Sequence, residues 1–287
     1  MLFHHHGYVS TNPRVQVAAG IGLDRPAELP DEMDVLIVGS GPAGMIAAAQ
    51  LAMFPDVHTR IIERRPHRLE IGQADGIQAR SVETFQAFGF ASEIIDEAFD
   101  LTSMAFWNPA EDDADTIVRT SLAEDDPEGV SEFPHLIVNQ ARILDWFAEY
   151  MKNSPTRARP DYGWAFETLE DTNDGEHPVL VTLRRTVDAQ GNALEDPASG
   201  PTRQVRAKYV VGADGAGSRV RKAIGHTLTG DAANHAWGVM DALADTDFPD
   251  IRTKCAIHSS SGSILLIPRE GGHLFRMYVD LGEVPAG

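Results

Sequence analysis

A glycine pattern that follows a short apolar run constrains the fold of this chain more than any other feature. Residues 34–39 read Asp-Val-Leu-Ile-Val-Gly, and residues 39–44 match G-x-G-x-x-G. A continuous run of mostly β-branched residues is typical of a strand buried on both faces of a parallel sheet. Helix-forming residues over 40–54 predict a helix, and residues 58–63 predict a second strand. Together these segments predict a βαβ unit.

Each glycine of the pattern has a physical role in binding a dinucleotide. Gly39 permits the tight turn, Gly41 lets a pyrophosphate approach the backbone, and Gly44 allows close packing of helix on strand. At the helix start, Pro42 and Ala43 belong to a first turn whose free N–H groups and positive dipole end favour phosphates. An adenine dinucleotide is therefore predicted, although the pattern itself fits NAD as well as FAD.

The residues after the second strand favour FAD. Glu63 ends that strand, where its carboxylate can accept hydrogen bonds from ribose hydroxyls. Arg64 follows it directly, and Arg80 opens a helix predicted over residues 78–88. An arginine in this region can reach back to a pyrophosphate, as an extended FAD needs. A surface salt bridge is the alternative interpretation of such an arginine.

Charge and cysteine content exclude several classes of protein. The chain has 287 residues with 24 basic and 43 acidic side chains, for a net charge of −19. Such a surface repels phosphate backbones, which disfavours nucleic acid and anionic membranes as partners. Cys255 is the single cysteine, so we expect it to be a core thiol in a protein of a reducing compartment. Because the sequence shows no secretory signal and no apolar span, we expect a cytoplasmic chain. The histidines at 4–6 lack a further ligand, and no metal is expected.

The order of predicted elements gives an α/β fold class. We expect a Rossmann-like FAD-binding parallel sheet with an interleaved, mostly antiparallel β substrate domain. The predicted domains are an N-terminal arm (1–33), an FAD-binding domain (34–107 and 135–225) and a substrate domain (108–134 and 226–287). Residues 111–132, with nine acidic side chains, predict a solvated loop or hairpin. Because the chain stops just after a predicted strand, we expect a fragment whose substrate domain is incomplete at the C-terminus.

A second motif makes the resemblance to a protein family more specific. Residues 209–221 read Tyr-Val-Val-Gly-Ala-Asp-Gly-Ala-Gly-Ser-Arg-Val-Arg, a strand followed by an Asp-Gly turn. With the glycine pattern and residues 76–80, this motif resembles the flavoprotein aromatic hydroxylases. Residues 72–80, 132–135, 139–142 and 268–274 most resemble the phenol hydroxylase branch of that family. The motif usually continues Ala-Arg-Ser, whereas Gly217 stands here in place of the arginine, which puts in doubt any anion contact of that residue.

The resemblance implies the cofactors and the chemistry. In this family NADPH reduces FAD, O₂ adds to give a flavin C4a-hydroperoxide, and its distal oxygen attacks an electron-rich phenolic ring. FAD is thus the implied resident cofactor, and the implied partners are a small aromatic substrate and O₂. No second G-x-G-x-x-G follows a strand, so NADPH is expected to bind transiently. The sequence does not determine the oligomeric state, for which a homodimer is the candidate.

Individual positions take implied roles from the same resemblance. Asp75 and Tyr278 would bond the substrate hydroxyl, Lys254 would pair with a substrate carboxylate, and His135 would assist in the same pocket. Each residue also has a purely structural interpretation. Asp75 would then be a turn or cap residue, and Tyr278 a core residue. Lys254 would be an exposed strand residue, and His135 an ordinary buried histidine. The resemblance adds three further cofactor-binding residues: Gln73, Gln140 and Asp214. Gln140 would bond the ribityl chain of FAD, and the alternative is that it is simply the first residue of a helix.

The favoured reaction is hydroxylation of 3-hydroxybenzoate to 3,4-dihydroxybenzoate, because Lys254 and His135 could hold a meta carboxylate. The alternatives are an ortho-hydroxylase of phenol or an alkylphenol, and a non-catalytic FAD-binding fragment. A flavin-dependent halogenase is disfavoured because the chain lacks that class's Trp-x-Trp-x-Ile-Pro signature.

Overall fold

The structure is a computed structural model that describes residues 2–4, 7–9, 25–72, 74–231 and 234–284. The chain divides into two compact units. The first unit comprises Met1–Gly72 and Ala141–Thr229, and the second unit comprises Gln73–Gln140 and Gly230–Gly287. Each unit is therefore built from two separate stretches of sequence.

Strands dominate the described part of the chain. In chain order they are β1 (Leu2–His4), β2 (Gly7–Val9), β3 (Glu32–Val38), β4 (Thr59–Glu63), β5 (Gly76–Ile77), β6 (Phe99–Leu101), β7 (Ser103–Pro109), β8 (Ile117–Glu124), β9 (His135–Ile137), β10 (Pro160–Tyr162), β11 (Trp164–Asp171), β12 (Val179–Arg185), β13 (Thr202–Gly212), β14 (His235–Leu243), β15 (Lys254–Ser259), β16 (Gly262–Pro268) and β17 (Leu274–Glu283). The α-helices are α1 (Pro42–Leu51), α2 (Ala79–Phe88), α3 (Ala91–Glu97), α4 (Gln140–Lys152) and α5 (Arg219–Ala223), and Pro197–Ser199 form a 3₁₀ turn.

The main sheet of the first unit has the strand order β10-β4-β3-β13-β12-β11. The four strands from β10 to β13 run parallel, and β12 and β11 complete the sheet in antiparallel pairing. Leu36 and Ile37 at the centre of β3 have no exposed surface, as expected for a strand covered on both faces. Burial of each such side chain stabilises the fold by about 1.5–3 kcal/mol, so this apolar run fixes β3 at the centre of the sheet.

The main sheet of the second unit has the order β14-β17-β16-β15-β7-β8. Its pairings are antiparallel except that of β15 with β7, which is parallel. Ala105, Cys255, Leu266 and Phe275 form the buried cluster on one side of it. A smaller sheet, β5-β9-β6, also belongs to this unit. The acidic residues 111–132 include β8, a largely exposed strand that forms a hairpin with β7, so the predicted hairpin is present.

The α/β class with a parallel sheet and a mostly antiparallel β-rich part is confirmed by this topology. The unit boundaries, however, differ from the predicted domains: residues 73–107 and 135–140 belong to the second unit. The physical reason is strand pairing, because β7 pairs with β15 and β9 pairs with β5 and β6. The later boundary, between residues 229 and 230, lies close to the predicted change at 226.

Membrane insertion by a helix finds no support in the described residues. None of the helices there is both long enough and apolar enough to span a bilayer.

Candidate cofactor and substrate sites

The glycine loop lies at the carboxyl end of β3. β3 has β4 on one side and β13 on the other, both parallel to it, and ligands of open α/β sheets bind beyond the carboxyl ends of the strands. Gly39 has a φ of 105°, and a Cβ on Gly44 would lie 1.8 Å from the Gly39 carbonyl oxygen. These two positions therefore require glycine for conformation and packing.

Gly41 differs from the other two glycines because the space beside it is open. A Cβ built at Gly41 meets no atom within 4 Å among the described residues. Gly41 also precedes α1, which begins at Pro42, and in this part of the described chain no side chain caps the helix. The open approach and the unpaired N–H groups of the first turn suit a pyrophosphate. The residues present thus fit the phosphate portion of a dinucleotide.

Glu63 lies at the end of β4 and is only 6% exposed. Its Oε2 accepts hydrogen bonds from Ser40 N at 3.0 Å, Ser40 Oγ at 2.9 Å and Arg65 Nη2 at 3.0 Å, while Oε1 accepts one from Arg65 N at 3.0 Å. Burial raises the pKa of Glu63, but the hydrogen bonds from Arg65 and Ser40 outweigh it and hold that pKa below its usual range. The carboxylate is therefore ionised and fixed beside the glycine loop, with acceptor capacity remaining at Oε1.

Asp214 lies in the turn between β13 and α5 and is bound by that turn. Its Oδ1 accepts from Ser218 Oγ at 2.5 Å, and its Oδ2 accepts from the backbone N–H groups of Arg219 at 2.6 Å and Val220 at 3.2 Å. Burial raises the pKa of Asp214, and the bonds from Ser218, Val220 and Arg219 lower it to a net value below the ordinary one. Asp214 thus stabilises the loop that follows β13.

The remaining residues predicted to contact FAD lie in different surroundings. The Arg64 side chain is exposed, and its backbone carbonyl accepts a hydrogen bond from Thr186 Oγ1 at 2.6 Å. Arg80 is 90% exposed and lies 3.3 Å from Glu83, as the salt-bridge alternative predicts. Gln140 is the first residue of α4 and is assigned to the second unit, whereas the rest of that helix is assigned to the first. Gln73 lies outside the described residues.

Asp75 forms the centre of a charged cluster in the second unit. It is 6% exposed, and its Oδ2 accepts a hydrogen bond from Arg269 Nη1 at 2.8 Å and contacts Arg276 Nη1. Its Oδ1 accepts only a long hydrogen bond, 3.4 Å, from Gln140 N among the described contacts. One carboxylate oxygen is therefore neutralised by two guanidinium groups, while the other keeps capacity for a ligand hydroxyl.

Tyr278 lies beside the same cluster on β17. It is two residues from Arg276, so the two side chains project to the same face of the sheet, and Arg276 contacts Asp75. Hydrogen bonding to Asp241 is the main reason that the pKa of Arg276 is raised above its ordinary value, and Tyr278 and Asp75 add to the effect. Arg276 thus contacts one of the two residues predicted to bond the substrate hydroxyl and shares a strand face with the other.

Lys254 shares a sheet face with Tyr278. The register pairs Ala256 with Leu265 and Leu265 with Tyr278, and directly paired residues project to the same face. Lys254 lies two residues before Ala256 on β15, so its side chain projects to that face as well. Cys255, between them, is buried on the opposite face. The lysine is half-buried.

His135 lies on β9, and its side chain is 9% exposed. Its Nδ1 donates to the Asp125 carboxylate at 3.2 Å, and its Nε2 accepts from Gln78 Nε2 at 3.5 Å. A Cβ on Gly76, the residue after Asp75, would lie 3.6 Å from His135 Nε2. The histidine therefore borders the Asp75 segment.

Two arginines of this cluster were missed as functional residues. Arg269 is 4% exposed and binds Glu270 through two nitrogens, at 2.9 and 3.0 Å, besides Asp75. Arg276 contacts Asp75 and forms an ion pair with Asp241. The signal that could have found them is the pair of arginines flanking a strand start, residues 269 and 276, within a largely acidic chain.

Comparisons with known proteins identify the family. Residues 32–284 match the family of FAD binding domains, and the chain belongs to that family. It is 46% identical over 287 residues to 3-hydroxybenzoate 4-monooxygenase of Comamonas testosteroni, which covers all of this chain and 44% of that protein. It is 40% identical over 257 residues to the FAD-dependent monooxygenase terD of Aspergillus terreus, covering 87% of this chain and 39% of that protein. The chain thus spans less than half the length of these curated relatives.

Solved structures support the fold. The flavin-dependent monooxygenase PieE, in complex with FAD and substrate, aligns with a TM-score of 0.69 and 19% identity over 90% of this chain and 45% of its own. The p-nitrophenol 4-monooxygenase PnpA of Pseudomonas putida DLL-E4 aligns with a TM-score of 0.69 and 17% identity, over 90% of this chain and 60% of its own. At these identities the likeness establishes the fold alone, and the family match identifies FAD as the cofactor.

Proposed function

We propose that this chain provides the FAD-binding and substrate-binding residues of a monooxygenase that hydroxylates a small phenolic ring. The favoured reaction converts 3-hydroxybenzoate to 3,4-dihydroxybenzoate with NADPH and O₂. The observation that supports it most is the contact of Arg276 with Asp75, with Tyr278 two residues away on the same face of β17. A carboxylate and a phenol are the two groups suited to bond a substrate hydroxyl.

In the first unit, the proposed role of the chain is to hold FAD. The first-turn N–H groups of α1 would bind the pyrophosphate beside Gly41, and Glu63 would accept hydrogen bonds from ribose hydroxyls through Oε1. The Asp214 turn would line the same sheet edge, because β13 pairs with β3. When bound, FAD supplies electron transfer from NADPH and the activation of O₂.

In the second unit, the proposed role is to make the aromatic ring electron-rich. Asp75 Oδ1 would accept a hydrogen bond from the substrate hydroxyl. The Tyr278 hydroxyl would donate a hydrogen bond to the oxygen of that substrate hydroxyl. Arg269 and Arg276 stabilise negative charge in their vicinity, which favours a phenolate over a phenol. Lys254 would pair with a carboxylate on the ring, and the carboxylate would hold the hydroxyl toward Asp75.

A phenol or alkylphenol substrate would use the same hydroxyl contacts without Lys254. A non-catalytic FAD-binding chain is the other candidate, and one observation favours it. The chain covers only 44% of the monooxygenase from Comamonas testosteroni, so groups needed for turnover can lie in the remainder of such a protein.

The experiment is a titration of the purified chain, reconstituted with FAD, with 3-hydroxybenzoate and separately with phenol. We expect 3-hydroxybenzoate to perturb the flavin spectrum at a concentration at least tenfold lower than phenol, and to accelerate NADPH oxidation with formation of 3,4-dihydroxybenzoate. Equal responses to the two ligands would refute the carboxylate contact. A yellow protein that oxidises no NADPH would favour the non-catalytic candidate.

Two lysine substitutions, one of them a control, make this test more specific. Lys254→Met should weaken binding of 3-hydroxybenzoate about tenfold, because one charge-assisted hydrogen bond contributes about 1.5–3 kcal/mol, and should leave phenol binding unchanged. Lys222→Met, on the exposed surface of α5, removes the same charge and should change neither. A loss of phenol binding in the Lys254 variant would contradict a role specific to the carboxylate.

A further inference from the structure

Asp241 holds Arg276 in a two-point hydrogen-bonded pair. Arg276 Nε donates to Asp241 Oδ1 at 2.6 Å, and Arg276 Nη2 donates to Asp241 Oδ2 at 2.8 Å. The two residues are direct partners on neighbouring strands, β14 and β17, so the sheet backbone fixes both ends of the pair. Such bidentate pairs of arginine and carboxylate restrict the guanidinium plane as well as its position.

This pairing leaves one nitrogen of Arg276 for Asp75. Nε and Nη2 are engaged by Asp241, and Nη1 is the atom that contacts Asp75 Oδ2. Tyr278 lies two residues further along β17 and projects to the same face as Arg276. The orientation that Asp241 imposes on Arg276 therefore fixes the nitrogen that meets Asp75, next to Tyr278 on the same strand face.

Asp241 also contacts the second arginine of the cluster. Arg269 Nη1 donates to Asp241 Oδ2 at 3.2 Å and to Asp75 Oδ2 at 2.8 Å. Arg269 has its own bidentate partner in Glu270. Each arginine is thus held by one carboxylate and offers a remaining nitrogen to Asp75, and Asp241, like Asp75, contacts both arginines.

We propose that Asp241 is a positioning residue, which acts through Arg276 to set the geometry of Asp75 and Tyr278 toward a substrate hydroxyl. The inference rests on the proposed function, since it assumes that these two residues bond a phenolic ligand. Asp241 itself is 38% exposed and is not among the residues proposed to contact the ligand. Its loss should free Arg276 to rotate, and Asp75 should then lose a guanidinium that holds it beside Tyr278.

The first test compares two ligands that differ only in the hydroxyl group. Asp241→Asn should weaken binding of 3-hydroxybenzoate about tenfold by calorimetry and change binding of benzoate less than twofold. Asp245→Asn is the matched control, because it removes the same charge from an exposed position just after β14 and should change neither affinity. Equal weakening of both ligands by Asp241→Asn, or no weakening of either, would overturn the proposal.

A second measurement needs no ligand and so separates this inference from the proposed function. The chain has five tyrosines, and incorporation of 3-fluorotyrosine gives a ¹⁹F resonance for Tyr278, assigned by its absence in Tyr278→Phe. Asp241→Asn should shift that resonance by more than its linewidth, whereas Asp245→Asn should not. If the wild-type chain binds neither ligand, the proposed function fails, and the ¹⁹F result still decides the coupling. An unshifted resonance refutes it.

Discussion

Gly39 and Ala213 lie so close together that a Cβ atom on Gly39 would come within 2.5 Å of the Ala213 carbonyl oxygen. The two residues directly follow the neighbouring parallel strands β3 and β13, and Ala213 N donates a hydrogen bond to Val38 O at 2.9 Å. The glycine pattern and the Asp-Gly motif, far apart in sequence, therefore form one continuous edge. Substitutions in either motif should affect both loops.

The glycines of the first motif should separate stability from cofactor binding. Gly44→Ala should lower the free energy of unfolding by about 1–3 kcal/mol, the cost of overpacking, because the new Cβ meets the Gly39 backbone. Gly41→Ala should unfold like wild type in urea, since that space is open, yet weaken FAD binding measured by quenching of flavin fluorescence. A destabilised Gly41→Ala protein with normal FAD affinity would contradict this assignment.

Glu63 should make the stability of the first unit depend on acid. Because its pKa in the folded chain lies below the ordinary value, its ionised form stabilises the fold above the unfolded pKa of about 4.3, and this contribution is lost as pH falls through the folded pKa. The difference in free energy of unfolding between wild type and Glu63→Gln should stay constant from pH 6 to 8 and shrink below about pH 5. Urea titrations at each pH measure it. Glu195→Gln, at an exposed position, should follow wild type throughout.

Asp214 should stabilise the turn that begins α5 as a helix cap does. Asp214→Ala removes the acceptor for Arg219 N, Val220 N and Ser218 Oγ, so we expect a loss of about 1 kcal/mol in the free energy of unfolding. Asp214→Asn keeps an acceptor oxygen and should lose clearly less. Chemical denaturation of the two variants gives the comparison, and equal losses would mean that charge, rather than capping, is what the residue contributes.

Cys255 should be inert in the native chain. Burial raises the pKa of its thiol to about 12, with the nearby Asp250 adding to the effect, and the residue has no exposed surface. At pH 8 its reaction with a thiol reagent should be about a thousandfold slower than that of the urea-unfolded chain, because only the thiolate reacts. Rapid labelling of the folded protein, followed by absorbance, would show that the strand carrying Cys255 opens easily.

Much of the first unit could be predicted because its signals are local. The apolar run of residues 35–38 and the glycines after it identify β3, the turn and α1 without reference to the rest of the chain. β11, by contrast, was not predicted. It mixes apolar and acidic residues, and its pairing with β12 contains a register shift near Phe166, so a strict alternation is missing.

The charged cluster shows why a site is harder to predict than a fold. Asp75 and Tyr278 were predicted from resemblance, but Arg276, which contacts Asp75, was not. The contact between Asp75 and Arg269 joins residues 194 positions apart, and no pattern of spacing specifies such a pair. The pairing of Asp241 with Arg276 is decided by the register of β14 on β17, which is a tertiary property.

The interleaving of the two units has a consequence for synthesis on the ribosome. β3 is translated well before its sheet neighbour β13, and most of the first stretch of the second unit emerges between them. At roughly 5–20 residues per second, β3 waits on the order of ten seconds for that partner. During this interval its apolar edge is unpaired, so the nascent chain should depend on chaperone protection until residue 212 has left the exit tunnel.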